Sequence, residues 1–204
     1  MIKLIATDID GTLVKDGTLI IDPEYMTVIS KLIDKGIIFT VCSGRQFSSE
    51  QKLFAPIKDK LMYITDGGTV VRTPDRILKT YPMSNELWKD MCRMVRDELP
   101  ACDYFAASPD LCYAEDGASP IFHRLRDSYG FEMREIDDLT KLENDDIIKF
   151  TVYHPDSCEE LCSPHFIPAW KDKAHVTSAG KEWVDCNRSG ISKWTAVSFL
   201  MDKY

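Results

Sequence analysis

The sequence is expected to fold as an α/β protein, a parallel sheet accompanied by a separate α+β layer. Three observations lead there. Apolar runs of strand length at residues 2–6, 37–42 and 61–65 alternate with helix-patterned segments, and that spacing makes βαβ units whose strands run parallel. From residue 84 the pattern changes to helix, strand, strand, helix, strand, helix, strand, strand, which suits antiparallel strands on one side and helices on the other. From about residue 187 the pattern changes again, to a single helix that closes the sequence.

The first unit starts with the run at 2–6, short enough for a buried strand. Asp22 before Pro23 predicts an N-cap followed by proline at the first helical position, and Met26, Ile29, Leu32 and Ile33 continue at helical spacing to a stop at Gly36. Residues 37–42 then read as a fully buried strand, and a helix pattern follows over about 45–54. After the strand at 61–65, residues 69–72 and 77–81 flank Thr73-Pro74-Asp75-Arg76 as a hairpin.

In the middle layer, 84–99 is a helix with Leu87, Trp88, Met91, Met94 and Val95 on one side, ended by Pro100. Residues 102–107 and 111–115 are short strands around the turn signal Ser108-Pro109-Asp110. A helix is expected over 119–129, a strand over 147–153, and a short helical segment over 155–162 that runs on irregularly to 170. Residues 174–179 and 182–186 pair around Gly180-Lys181. Ser189 or Gly190 opens the last helix, with Lys193 in its first turn.

The totals narrow the function. A chain of 204 residues, 44% hydrophobic and 28% charged, allows one large domain or two small ones. The net charge of −8 disfavours nucleic acid or an acidic membrane as main partner, because both need a basic face. A small phosphorylated metabolite stays open, since a local cation can dominate a site's field. No stretch approaches the ~20 apolar residues of a membrane span. The first residues enter a strand directly, so no leader peptide is expected. Of seven cysteines, an odd number, several sit inside apolar runs and read as buried thiols, from which a reducing cytoplasm is expected. Monomer and homodimer are both open.

The chemistry gathers at strand ends. Asp8 and Asp10 stand two apart where the first strand gives way to a loop, and in extended chain such residues point the same way. Gly11 lets the backbone turn. Two close carboxylates repel unless a cation sits between them, and an all-oxygen site suits Mg²⁺. At the end of the second strand, Ser43-Gly44-Arg45 offers a hydroxyl and free backbone N–H groups to an anion, although Ser43 also reads simply as an N-cap. In an open parallel sheet, ligands bind at such adjacent carboxyl ends. Asp66 reads as a turn residue. Cys158, Cys162 and His165 fall short of the four ligands of a structural zinc. The acidic pairs Glu115-Asp116, Asp137-Asp138 and Asp145-Asp146 read as solvated turns or caps. No P-loop or dinucleotide fingerprint is present.

The string D-I-D-G-T-L-V after an apolar strand resembles the nucleophile motif of the haloacid dehalogenase-like (HAD) phosphohydrolases. V-C-S-G-R resembles their second motif and G-I-S-K, at residues 190–193, their third. The resemblance is to the Cof-type branch, which often carries Asn-Gly where this chain has Asp66-Gly67, and usually Gly where it has Trp194. It implies a Rossmann-like core at 1–82 and 187–204 with an inserted α+β cap domain at 83–186. It also implies roles. Asp8 is the nucleophile that forms an aspartyl-phosphate, and Asp10 is the general acid and base. Ser43, Gly44 and Lys193 hold the phosphate, Thr12 supports the nucleophile loop with Gly11, and Arg45 supports the site. Mg²⁺ is bound by Asp8 and the Asp10 carbonyl. Sugar phosphates are the substrates implied first, with pyridoxal phosphate and flavin mononucleotide as alternatives.

The family's fourth motif, G-D-x-x-N-D, does not occur. The chain is therefore expected to be truncated at its C-terminus, with impaired Mg²⁺ affinity and activity. Two other classes stay open on that ground: a fold that serves as a binding or regulatory module, and phosphomutase-like transfer to an acceptor other than water.

Overall fold

The computed structural model describes residues 2–15, 18–143 and 146–204, so Asp145 of the pair Asp145-Asp146 lies outside the described residues. Two sheets carry the chain. The first is built from β1 (Leu4–Thr7), α1 (Pro23–Asp34), β2 (Ile38–Cys42), α2 (Phe47–Leu53), β3 (Met62–Thr65), β4 (Val70–Arg72) and β5 (Ile77–Thr80). Its strand order is β1-β2-β3-β4-β5. β1 and β2 pair in parallel from Leu4↔Ile38 to Thr7↔Val41, and β2 pairs in parallel with β3. β4 and β5 add an antiparallel hairpin.

Local chemistry accounts for the helix. Asp22 caps α1 by accepting from the Glu24 N–H, Pro23 sits at its first position, and Gly36 follows its end at φ 80°. Ile9, Phe39, Phe54 and Tyr63 pack one face of the sheet together with Ile29 of α1. Ile64 and Val71 pack the other, against Ala196 and Leu200 of α7 (Lys193–Lys203).

The second sheet follows α3 (Asn85–Glu98) and contains β6 (Asp103–Ala107), β7 (Cys112–Ala114), β8 (Met133–Glu135), β9 (Lys149–Tyr153), β10 (Ala174–Ala179) and β11 (Trp183–Arg188). Its order is β10-β11-β9-β6-β7-β8, antiparallel except for β7 with β8. α3, α5 (Cys158–Leu161) and α6 (Ser163–Trp170) lie over it through Trp88, Met91, Phe150, Phe166 and Cys158. α4 (Pro120–His123) packs through Ile121 and Phe122 in a separate cluster with Phe105 and Tyr153. This is a mixed α/β architecture, with helices on the parallel sheet and an α+β layer inserted between β5 and α7. No helix of the described residues is long and apolar enough to cross a membrane.

Five expectations need correction. β1 is not buried: among the described residues it runs along the edge with β2 as its one sheet neighbour, and Ala6 is exposed. The helix expected at 119–129 is only four residues of α-helix, continued by a π-type turn over Arg124–Ser128, in which the Tyr129 N–H reaches back five residues to the Arg124 carbonyl. β8 was not legible, because three residues with exposed Arg134 and Glu135 carry no apolar alternation. The last helix starts at Lys193, capped by Ser192, not at Ser189 or Gly190: Gly190 takes a left-handed φ of 77°. Cys102 and Cys162 are joined as a disulfide 60 residues apart, so not all seven cysteines are thiols; the other five are free and buried. The tertiary fold makes that pair, by setting the chain before β6 against the junction of α5 and α6.

One contact ties the sheet to α7. The chain leaving β3 turns through Asp66, Gly67 and Gly68 at positive φ, and a Cβ on Gly68 would lie 2.3 Å from the Ser192 carbonyl oxygen. Only glycine permits both the φ of 103° and that approach. Gly68→Ala is expected to destabilise the chain by about 3 kcal/mol in urea denaturation, whereas Gly44→Ala, with nothing within 4 Å of the added Cβ, should cost far less.

Candidate active site

The parallel pairing of β1 with β2 sets their carboxyl ends side by side, and with them Asp8, Asp10, Gly44 and Arg45. These four residues and Asp66 line one wall of a cavity of about 830 Å³. The opposite wall comes from the second sheet and includes Lys149, Thr151, Asp185 and Trp183.

The loop after β1 is a tight turn. The N–H groups of Thr12, Leu13 and Val14 all converge on the Ile9 carbonyl, and Gly11 sits at φ 72°. Asp8 is exposed. Its Oδ1 accepts from the Ile9 N–H at 2.8 Å and pairs with Lys193 Nζ at 2.8 Å. Oδ2 is left without a partner among the described residues. Lys193 is the first residue of α7, so its ammonium reaches Asp8 from the start of that helix.

Arg45 holds Asp10 with two parallel bonds, Nε to Oδ2 at 2.8 Å and Nη2 to Oδ1 at 2.6 Å. Nη2 also donates to the Thr18 carbonyl. This fork fixes the Asp10 carboxylate in orientation. Arg45 is itself 3% exposed and stacks over the Tyr129 ring of the inserted layer.

Ser43 lies in the expected loop, but its hydroxyl is fully buried, donates to Glu50 Oε1 at 3.0 Å and caps the Arg45 N–H. Burial holds the Glu50 carboxyl well above the usual range, with the Ser43 bond acting against it. Gly44 has open space where a side chain would stand. Thr12 is exposed, and its N–H closes the turn.

Three site residues were not read from the sequence. Asp66, taken there for a turn residue, is 0% exposed and lines the cavity at φ 51°. Burial pushes its carboxyl up to about 6, with Lys149 and the Thr65 hydroxyl pulling the other way. Lys149 is 7% exposed, donates to the Gly44 carbonyl at 3.0 Å and pairs with Asp185 at 3.7 Å. Burial alone would lower the Lys149 pKa; the Asp185 and Asp66 carboxylates reverse that and raise it. A lysine inside I-I-K-F-T-V-Y was the available signal, since a charge within a buried strand needs a partner.

The family model for haloacid dehalogenase-like hydrolases matches residues 5–204. The chain belongs to that family. A solved structure from Eubacterium rectale is 79% identical, with a TM-score of 0.87 over 99% of this chain and 76% of its own. A HAD subclass IIB sugar phosphatase of known structure shares the fold at 16% identity, with a TM-score of 0.78 over 98% of this chain and 75% of its own. A 5-amino-6-(5-phospho-D-ribitylamino)uracil phosphatase from Escherichia coli (strain K12) is 26% identical over 147 residues, 70% of this chain and 52% of its own length. The chain therefore spans about half the length of that curated relative.

The buried Asp66 has a consequence for stability. Its folded pKa of about 6 lies above the ordinary 3.8, so the fold favours the protonated form. The stabilisation is complete below about pH 4 and is lost as pH rises through about 6. Asp66→Asn should remove that slope. In urea denaturation across pH, the variant is expected to gain on the parent between pH 4 and 6 and to hold a constant margin above.

Proposed function

We propose that the chain is a phosphatase that hydrolyses a small phosphomonoester through an aspartyl-phosphate. The observation that carries this is a half-exposed Asp8 that lines the cavity, keeps one carboxylate oxygen open and is paired through the other with Lys193 at 2.8 Å. The relatives named as phosphatases support it.

Asp8 Oδ1 is held by the Ile9 N–H and Lys193, which turns the attack on phosphorus over to Oδ2. Asp10, protonated on an oxygen released from the Arg45 fork and oriented through the other, gives that proton to the leaving alkoxide; the carboxylate so formed then takes one from the water that opens the aspartyl-phosphate, which restores the acid. Lys193 and the Gly44 amide stabilise negative charge on the transferring group. The Ser43 hydroxyl joins them once it turns from Glu50. The inserted layer covers the site and excludes bulk water.

The donor set fits a hydrated Mg²⁺, which takes one or two carboxylates and keeps several waters. Asp8 Oδ1, in competition with Lys193, and the Asp10 main-chain carbonyl would hold it. When bound, the ion neutralises charge on a phosphate oxygen. Among the described residues no three metal-ligating side chains cluster, and both aspartates already face cations. Weak metal binding follows, and with it the second reading, a phosphate-binding or regulatory module. A sugar phosphate is the substrate proposed first, and the cytoplasm the proposed setting.

Phosphate release from a panel of phosphomonoesters, with and without Mg²⁺, tests the reading. Asp8→Asn should cut turnover at least about 10³-fold. Lys193→Met should cost about 10²-fold. The same variant should bind Mg²⁺ more tightly in calorimetry, because the competing cation at Asp8 is gone. No release from the folded parent chain at any Mg²⁺ concentration would leave the binding module.

A further inference from the structure

Glu50 of α2 bonds the loop Ser43-Gly44-Arg45, and the chemistry above gives it no task. Its side chain is 0% exposed. Oε1 meets the Ser43 hydroxyl at 3.0 Å. Oε2 is buried and has no hydrogen-bond partner among the described residues. An ionised carboxylate so placed would bury a charge with one hydrogen bond to answer it, and such groups neutralise instead.

The surroundings do not rescue the charge. The two cations whose field reaches Glu50, Arg45 and Lys193, are paired with Asp10 and Asp8. Asp66, from the turn after β3, adds a like charge. Cys42 at the end of β2 and Tyr63 of β3 lie in the same field, and burial pushes both up, so both stay protonated. Burial is the largest influence on the Glu50 carboxyl and holds it well above its usual range.

A protonated Glu50 changes what Ser43 can do. A hydroxyl has one O–H to give and two lone pairs to fill. One lone pair of Ser43 already accepts from the Arg45 N–H at 2.9 Å. An ionised Glu50 could only accept, so it would take the single Ser43 O–H and leave the second lone pair idle. With the proton on Glu50 Oε1 the bond runs the other way across the same 3.0 Å. Both lone pairs of Ser43 are then filled, and its O–H is released for another acceptor. Oε2 becomes the carbonyl oxygen of a neutral acid, which costs less to leave unpaired than a charge.

We propose that Glu50 is a positioning residue: a neutral carboxylic acid that donates to Ser43 Oγ and so releases the Ser43 O–H to the phosphate. This rests on the phosphatase reading for the place of the phosphate beside Ser43. Ser43 then joins the phosphate cradle by turning its hydrogen alone, while Arg45 and Glu50 hold its oxygen in place. The neutral acid also keeps one more negative charge away from a bound dianion.

Two measurements test this. The infrared difference spectrum of the parent minus Glu50→Gln at neutral pH reads the proton itself. The parent is expected to contribute a carboxylic-acid carbonyl band; a carboxylate band in its place would overturn the proposal. Sulfate, a tetrahedral dianion that carries no proton at neutral pH, reads the consequence by calorimetry on the 204-residue chain. Glu50→Gln keeps a donor for Ser43 and should bind sulfate within about threefold of the parent, whereas Glu50→Met has none and should bind about tenfold more weakly. In a Ser43→Ala background the Gln and Met chains should bind alike, because Glu50 acts through Ser43. A Met chain that binds like the parent, or a difference that persists without the Ser43 hydroxyl, would overturn the proposal. If Glu50→Met does not fold, the infrared band and the Gln chain decide: a Gln chain that binds as weakly as Ser43→Ala would overturn it too. Phosphate release from p-nitrophenyl phosphate by the parent reads the phosphatase function separately. Sulfate binding that depends on Glu50 through Ser43, without any release, sinks that function and leaves Glu50 its role; release with sulfate indifferent to Glu50 does the reverse.

Discussion

The contact between Lys193 and Asp8, at 2.8 Å, joins the start of the chain to its last helix. A lysine at the first position of a helix opposes the helix dipole, and it is tolerated here because a carboxylate answers it directly. The arrangement holds only while α7 stays seated on the loop after β3. Gly68 makes that seat, by letting the Ser192 carbonyl come where any side chain would stand. The buried contacts of Ala196 and Leu200 with Ile64 and Val71 then fix the helix against the sheet. A backbone constraint at one glycine thus sets the electrostatics of a site built from residues far apart in sequence.

The inserted layer is registered on the core by polar contacts rather than by a shared apolar core. The Gln46 side chain pairs with the backbone of Glu132, accepting from its N–H and donating to its carbonyl. Ser48 and Lys52 both donate to the Gly130 carbonyl. Arg72, stacked on Phe47, forms an ion pair with Asp110. Directional bonds of this kind set position more sharply than apolar contact, which is non-directional. Position matters because the buried Lys149 has to find the Gly44 carbonyl and Asp185 together. Displacing it would leave charges buried and uncompensated, a severe cost.

The two aspartates of the first loop are held in opposite ways. Asp10 is locked by a two-pronged arginine and by the loop behind it, whereas Asp8 keeps one oxygen open to solvent. In the proposed mechanism the proton donor needs orientation and the nucleophile needs access, and the loop suits each. Both cations that achieve this also compete with any metal for the same carboxylates.

The periodicity of the sequence determined the strands and helices of the core, because apolar runs of strand length and capped amphipathic helices follow from burial and backbone hydrogen bonding within short windows. The motif at Asp8 and Asp10 was legible for the same reason: two residues apart on one strand share a face. G-I-S-K marked Lys193, though not the helix start. The tertiary structure alone decided the rest. β1 is half exposed because its place in the sheet order, not its composition, sets its burial. Ser43 turned to Glu50, a partner seven residues on that nothing in the strand-end pattern announces. Asp66 and Lys149 became site residues because two sheets meet over them. A turn aspartate and a strand lysine have no meaning to each other until folding removes the water between them, and local pattern carries no record of that distance.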